Sequence, residues 1–175
     1  MGEDPLALDT RRRLYDAVRS TPGVSAREIQ RLAGTAWGET AYHLERLAQG
    51  GLLHRERGSH QDYYFCTDLP LGDRTLLRLA RSPAVRRLLV SLLATPDLTL
   101  AELSERAQLS LSRSSIHLRR LLATGMVGSG RREQFRTFAV VDRERIARAL
   151  VTYHASLADE WVERFVDSFG ELFPP

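Results

Sequence analysis

The stretch AYHLERLAQGGLLHRERGSHQDYYF, residues 41–65, decides the fold. Leu44 and Leu47 are three residues apart, as on one face of a helix, and Gly51 follows where such a helix would end in a left-handed turn. Beyond Gly51, two short runs of strand-forming character flank the turn sequence GSHQ at 58–61. The stretch therefore predicts a helix followed directly by a β-hairpin.

The same pattern occurs a second time, 74 residues further along the chain. Residues 12–66 align with residues 86–140 without a gap, and 13 of the 55 aligned pairs are identical, Gly51 with Gly125 among them. Unrelated sequences would share about one residue in seventeen, so the chain contains two copies of one module. Each copy has about 60 residues, which is enough for a small hydrophobic core.

Two shorter helices are predicted at the start of each copy. Asp9 or Thr10 is expected to cap the first helix of the first copy. In the second copy Ser82 is the expected cap, with Pro83 at the first helical position, where its missing N–H group costs nothing.

The second helix of each copy carries a capping-box signature. Ser25 and Thr99 are the predicted N-caps, because Glu28 and Glu102 follow them at a spacing of three residues. In the first copy Leu32 is expected to face inward from this helix.

The order of helix, helix, helix and hairpin is that of a winged helix-turn-helix module. The third helices are predicted at about 36–49 and 110–123, and each is followed by its hairpin. The predicted fold class is therefore mainly α with small β-hairpin wings (α+β): two tandem winged helix-turn-helix domains plus a long C-terminal helix. The predicted segments are domain 1 at 9–67, a linker with a short helix at 68–81, domain 2 at 82–141 and the C-terminal helix at 142–170.

Two strings also carry a family resemblance, AYHLERLAQGGLLHRERGSHQDYYF (41–65) and SIHLRRLLATGMVGSGRREQFRTF (115–138). They resemble the third helix and wing of winged-helix transcription regulators of the broad ArsR/MarR-like group, especially forms with two such domains in one chain. The resemblance implies binding to double-stranded DNA and, as the commoner outcome in that group, repression.

In such a module the third helix enters the major groove and the wing reaches the flanking backbone or minor groove. Arg113 is suited to reading guanine, and the serines at the helix start to contacting phosphate. In the second copy the residues predicted to contact DNA are Ser110, Ser112, Arg113, Ser114, His117, Arg120, Arg131, Arg132 and Arg136. In the first copy they are Glu39, Tyr42, Arg46, Arg55 and Arg57.

The charge is distributed unevenly between the copies. All 25 basic residues are arginine, and the net charge is +1 over residues 1–82, +5 over 83–145 and −3 over 146–175. A basic second copy predicts that this copy dominates DNA affinity. In the first copy Glu39 and Glu45 would repel phosphate, so that copy reads a second half-site or serves as a docking surface for a protein partner. Trp37 fits either that surface or a place in the core, and the core is the favoured interpretation.

A C-terminal helix from Asp142 to about Gly170 is predicted from apolar residues at steps of three or four. It is longer than one module needs for its own core, which favours a two-fold homodimer; folding back over the linker and the first copy is the alternative. The residues predicted to dimerise are Ile146, Leu150, Tyr153, Leu157, Trp161 and Phe165.

Other classes of function have weaker support. No phosphate-binding glycine loop, nucleophile elbow or metal-ligand spacing occurs, so we expect no enzyme, no cofactor and no metal. His54, His60 and Cys66 on the first hairpin are the one alternative for zinc. Neither a membrane span nor a secretory signal is visible in residues 1–5 or elsewhere, which favours a cytoplasmic, nucleoid-associated protein without membrane contact. A non-catalytic scaffold or chromosome-organising protein with protein-docking winged helices remains the alternative function.

Overall fold

The computed structural model describes residues 6–58, 60–157 and 159–173, and the chain divides into two compact units, residues 1–78 and 79–175. Residues 1–5 and Ser59, which lies in the turn predicted for the first hairpin, are outside the described residues. Each unit folds by the same order of elements.

The first unit has three helices, a three-stranded sheet and most of a fourth helix. Its elements are α1 (Asp9–Ser20), β1 (Val24–Ser25), α2 (Ala26–Ala33), α3 (Trp37–Gln49), β2 (Leu53–Arg57), β3 (Asp62–Cys66) and α4 (Leu71–Ala80). The sheet is antiparallel in the order β1-β3-β2, with Val24 opposite Tyr64 and Leu53 opposite Cys66. The boundary between the units falls within α4, the helix predicted in the linker.

The second unit repeats this order and adds a C-terminal extension. Its elements are α5 (Pro83–Ala94), β4 (Leu98–Thr99), α6 (Leu100–Arg106), α7 (Leu111–Ala123), β5 (Val127–Arg132), β6 (Phe135–Val140), α8 (Arg143–Thr152), α9 (His154–Leu157), α10 (Glu160–Phe169) and a 3₁₀ turn (Gly170–Leu172). The sheet order β4-β6-β5 matches that of the first unit, and Leu98 opposite Phe138 is the equivalent of Val24 opposite Tyr64.

The described residues thus form ten α-helices and two small antiparallel sheets, the mixed α+β class that the sequence predicted. Each unit closes around leucines from its first and third helices. Leu14 and Leu44 are buried in the first unit, and their equivalents Leu88 and Leu118 are buried in the second. The arrangement is that of helix-turn-helix domains with β-hairpin wings.

Both predicted capping signals of the second helices are present. The Ser25 hydroxyl accepts a hydrogen bond from the Glu28 amide at 3.3 Å. Thr99 accepts likewise from the Glu102 amide, and the Glu102 carboxylate accepts from the Thr99 amide at 2.7 Å, which completes a reciprocal capping box. Gly51 and Gly125 each follow the C-cap residue of a third helix. Their φ values are +72° and +70°, which confirms the predicted left-handed turn.

The cap predicted for the first helix is wrong in the first copy and right in position in the second. Asp9 is the first residue of α1, and the N-cap position belongs to Leu8, which has no side chain able to accept a hydrogen bond. Ser82 does occupy the N-cap position of α5, with Pro83 following as predicted, but its hydroxyl makes no capping hydrogen bond.

Two apolar residues of the first unit are more exposed than the sequence indicated. Leu32 is 49 % exposed and Trp37 is 41 % exposed, so neither belongs to the core. The guanidinium carbon of Arg27 lies 3.9 Å from the centre of the Trp37 ring, a cation–π contact that covers one face of the indole.

The prediction of a single C-terminal helix over 142–170 is also wrong. Asp142 does cap a helix, accepting a hydrogen bond from the Arg145 amide at 3.1 Å, but that helix ends at Thr152 and two further helices follow. Ala158, inside the predicted helix, lies outside the described residues. None of the helices in the described part of the chain is long and apolar enough to cross a membrane.

Candidate nucleic-acid interface

The third helix of the second unit, α7, has a buried side and a cationic exposed side. Leu118 and Leu121 are buried, whereas Ser112, Arg113 and Arg120 are exposed. Neither arginine forms an ion pair with any residue that the structure describes. Their charges are therefore available to an external anion.

Ser110 lies at the start of α7 but its hydroxyl already has a structural partner. It is the N-cap residue, and its oxygen accepts a hydrogen bond from the Arg113 amide at 3.3 Å. The hydroxyl hydrogen remains able to donate to a phosphate, so the predicted contact stays a prediction.

Ser114 was predicted to contact DNA, and the structure corrects this prediction. The residue is fully buried, and its hydroxyl has no hydrogen-bond partner within the described residues. The equivalent residue in the first copy is Thr40, which is also fully buried and donates to the Ala36 carbonyl oxygen at 2.9 Å. This position belongs to the core in both copies, so Ser114 cannot reach DNA while α7 is folded.

His117 is half-buried on α7, between the exposed Arg113 and Arg120 in the sequence. Burial, reinforced by the charges of Arg120 and Arg113, lowers the pKa of its imidazole below the ordinary value of 6.5. This favours the neutral form of the ring, which adds no charge to the helix. In the first copy the equivalent residue, His43, accepts a hydrogen bond from Arg11. The second copy has Val85 where the first has Arg11, so His117 has no such donor there.

The second wing brings two arginines face to face. In the antiparallel register of β5 and β6, Arg131 lies directly opposite Arg136, and both side chains are exposed. Like charges in a cross-strand pair are destabilising, and a bound anion removes that repulsion. Arg136 also donates to the Ser129 hydroxyl at 3.1 Å, and its guanidinium lies over the Phe138 ring at 5.4 Å.

Arg132, the neighbouring wing residue, is already paired. Its guanidinium donates to the Glu102 carboxylate at 2.6 Å and to the Asp97 carbonyl oxygen at 3.3 Å. Hydrogen bonds from the amide and hydroxyl of Thr99, followed by that from Arg132, lower the pKa of Glu102 to about 2. Because this carboxylate is ionised, a phosphate contact by Arg132 would have to displace an existing ion pair.

The first wing has a different charge arrangement. Arg55 forms ion pairs with Glu45 at 3.1 Å and with Asp62 at 3.7 Å, which neutralise its charge. Arg57 is exposed, but it lies opposite Asp62 in the strand register. Of the two arginines predicted to contact DNA here, neither is free of a nearby carboxylate.

The exposed side of α3 carries Glu39, Tyr42 and Arg46, as the helical spacing predicted. Glu39 accepts a hydrogen bond from the Thr10 hydroxyl at 2.9 Å, and Tyr42 is 58 % exposed. This surface is mixed in charge and partly aromatic, unlike that of α7.

Three acidic residues of the first copy are replaced by arginine in the second. The aligned pairs are Glu39 with Arg113, Glu45 with Arg119, and Asp62 with Arg136. All three arginines are exposed, two on α7 and one on the wing. We call the exposed arginines of α7 and the second wing that form no ion pair with the described residues, Arg113, Arg119, Arg120, Arg131 and Arg136, the cationic face.

The apolar stripe assigned to dimerisation is used within the chain. Ile146, Leu150, Leu157 and Phe165 are buried in the second unit, where α10 packs against α5 and α8. Tyr153 and Trp161 are partly exposed.

A buried ion pair holds this C-terminal arrangement. Arg86 on α5 donates to the Asp159 carboxylate at 2.6 Å, and the two side chains are 7 % and 10 % exposed. Asp159 also caps α10 by accepting a hydrogen bond from the Trp161 amide at 3.0 Å. This ion pair therefore joins the start of α10 to α5 within the second unit.

Sequence reasoning missed several exposed residues of the second unit. Arg119 was not among the predicted contacts, although its alignment with Glu45 could have indicated it. Leu111 on α7 and Phe135 on the wing are 55 % and 54 % exposed. Their exposure has no signal in the sequence, because apolar residues at such positions more often indicate a core.

Metal binding has no support from the described residues, which contain no group of three His, Cys, Asp or Glu side chains able to hold an ion. Cys66 is buried, and burial raises the pKa of its thiol. A thiol in such a setting is a weak nucleophile and a weak metal ligand.

Comparison with known families supports the helix-turn-helix prediction for the first unit. Residues 8–77 are similar to a family described as an N-terminal HTH domain. The matched residues cover α1 to α3, the first wing and most of α4. No curated protein matches the chain.

Proposed function

We propose that the protein is a sequence-specific, duplex-DNA-binding transcription regulator built from two tandem winged helix-turn-helix domains. The helix-turn-helix match lies on the first copy. The gapless repeat and the shared strand register extend the same interpretation to the second copy. The domains correspond to residues 9–67 and 82–141, joined by the helical linker at 68–81.

The observation that carries the proposal is the cationic face. Arginine replaces glutamate or aspartate at three equivalent exposed positions of the second copy, and two arginines oppose each other on the wing. Such an accumulation of like charge is costly in the free protein and favourable against a polyanion. A protein-docking scaffold has no need of it, so this observation favours DNA over the scaffold alternative.

In this proposal the second domain supplies most of the affinity. α7 lies in the major groove, where Arg113 reads guanine through O6 and N7, and Arg120 contacts phosphate. Arg131 and Arg136 contact the flanking backbone or minor groove. The first domain reads a second half-site about ten base pairs away, or a multiple of that distance, with weaker affinity.

We further propose that the outcome is repression, as the resemblance implies, through occupation of a promoter. A homodimer would double the number of half-sites read. Because most of the predicted stripe is buried, the surface left for a second copy is the partly exposed side of α10, which carries Trp161 and Phe169.

The proposal is tested by selecting sequences from a random duplex pool with the full chain and with Arg113→Ala. Enrichment of a defined motif by the wild type is expected. Arg113→Ala should lose preference at one base position and weaken binding to the selected site by about 1–3 kcal/mol, with little effect on random DNA. Equal loss on selected and random DNA would contradict the role of Arg113, and no enrichment would contradict sequence-specific regulation.

A further inference from the structure

The tip of the second wing presents a large apolar side chain to solvent. β5 and β6 are joined by the two-residue turn Glu133–Gln134, and Phe135 follows immediately, paired with Arg132 in the register. Its side chain is 54 % exposed. A half-exposed phenylalanine at the end of a hairpin contributes little to the core, so its ring is available to an external partner.

The surroundings of Phe135 are strongly cationic. Arg136 is the next residue, and Arg131 lies opposite Arg136 in the register. Only Glu133, in the turn, opposes these charges on the described part of the wing. Gly128, Ser129 and Gly130 carry at most a hydroxymethyl side chain, so β5 is a slender strand until its arginines begin.

The first wing provides an internal comparison. The residues equivalent to Phe135 and Arg136 are Gln61 and Asp62. Gln61 is polar. Asp62 carries a charge opposite to that of Arg136, faces Arg57 in the strand register and forms an ion pair with Arg55. The combination of an exposed aromatic ring with unpaired arginines is therefore specific to the second wing, and it does not follow from the architecture of the module.

We infer that the second wing enters the minor groove of DNA and that Phe135 inserts between two base pairs as a wedge, bending the duplex. The inference rests on the proposed function and extends it from reading DNA to deforming it. Arginines are attracted by the negative potential of a narrow minor groove, and apolar wedges that partly unstack a base step kink the duplex by about 20–90°. Duplex DNA is the occupant that matches both the charge and the ring, because the base stack is apolar and the groove edges are anionic.

The test measures bending and affinity together. The full chain is titrated onto a duplex of about 30 base pairs carrying a donor and an acceptor dye at its ends, and energy transfer and anisotropy are recorded on the same samples. The variants are Phe135→Ala, Phe135→Leu and, as the matched control in the other wing, Gln61→Ala. Thermal unfolding of each variant is measured first, and Phe135→Ala should retain its melting temperature because the ring is largely exposed.

The wild type is expected to raise energy transfer on binding. Phe135→Ala should bind about five- to tenfold more weakly and abolish the rise, while the dependence on salt stays the same because no charge is removed. Phe135→Leu should keep most of the bend, since leucine is also an apolar wedge, and Gln61→Ala should behave as wild type.

Other outcomes overturn the inference in distinguishable ways. If Phe135→Ala bends the duplex as strongly as the wild type, the wedge is refuted while the proposed DNA-binding function stands. If the wild type binds no duplex, the proposed function fails as well. If it binds vesicles of anionic phospholipid through Phe135 but not the duplex, the wing is a membrane contact and the inference is overturned.

Discussion

Replacing Arg136 with aspartate would give the second wing the charge arrangement of the first. In the strand register Arg131 faces Arg136, whereas the equivalent Arg57 faces Asp62. Arg136→Asp therefore converts a repulsive cross-strand pair into an attractive one. If the paired arginines exist to bind phosphate, this variant should fold at least as well as the wild type and bind DNA much more weakly.

The two magnitudes follow from the pair. An opposite-charge pair in place of a like-charge pair stabilises a hairpin by about 0.2–1 kcal/mol, part of which is offset by the lost hydrogen bond from Arg136 to Ser129. For DNA, each phosphate contact contributes about 0.9 to the slope of log affinity against log salt. The variant removes the contact of Arg136 and neutralises Arg131, so the slope should fall by about 1.8 and affinity at 0.1 M salt by about 60-fold.

Urea unfolding and fluorescence anisotropy at 50, 100 and 200 mM salt measure these two quantities. Arg136→Ala is the matched control, because it removes one contact and leaves Arg131 free; its slope should fall by about 0.9. An unchanged slope in Arg136→Asp would refute the reasoning. A loss of stability greater than about 1 kcal/mol would instead show that Arg136 has mainly a structural role.

Further predictions concern the second unit. Ser114→Ala should leave DNA affinity unchanged and keep or raise the melting temperature, because it removes a buried hydroxyl without a partner; weakened DNA binding would contradict the corrected assignment. Asp159→Ala should lower the free energy of unfolding in urea by about 3–5 kcal/mol, because Arg86 is left buried without its partner. The control Glu160→Ala breaks only an exposed pair and should lower it by less than about 0.5 kcal/mol. Similar losses in the two variants would contradict this prediction. The pKa of Glu102 is lowered from 4.5 to about 2, so its contribution to stability is complete above pH 4.5 and is lost as the pH falls toward 2. Melting temperatures between pH 5 and pH 2 should therefore fall more steeply for the wild type than for Glu102→Gln, and parallel curves would contradict this.

Local signals in the sequence predicted most of the fold. The N-caps of the second helices, the glycines after the third helices and the change of periodicity at each hairpin all act over a few residues, and they are present in both copies. The two-residue strands β1 and β4 were not predicted, since strands of that length have no periodicity of their own.

Long-range contacts account for what the sequence analysis missed. The C-terminal segment has the apolar spacing of one helix, but Asp159 forms an ion pair with Arg86, 73 residues away, and caps a separate helix there. Only the folded chain reveals that pairing.

Comparing aligned positions of the two copies predicts which residues of the candidate site are buried, but it does not predict which exposed arginines form ion pairs. Thr40 is buried and lies four residues before Leu44, so its alignment with Ser114 could have excluded that serine from the interface. The ion pair between Arg132 and Glu102 joins positions 30 residues apart, so spacing alone could not distinguish Arg132 from the unpaired Arg131.

The central claim is that the cationic face binds duplex DNA, and the salt dependence of wild-type binding tests it most directly. Anisotropy with a labelled duplex from 50 to 200 mM salt suffices. With backbone contacts from Arg120, Arg131 and Arg136, the face predicts a slope of about −2.7 and an affinity that falls about 40-fold over this range. Absence of binding at 50 mM salt, or an affinity independent of salt, would contradict the account.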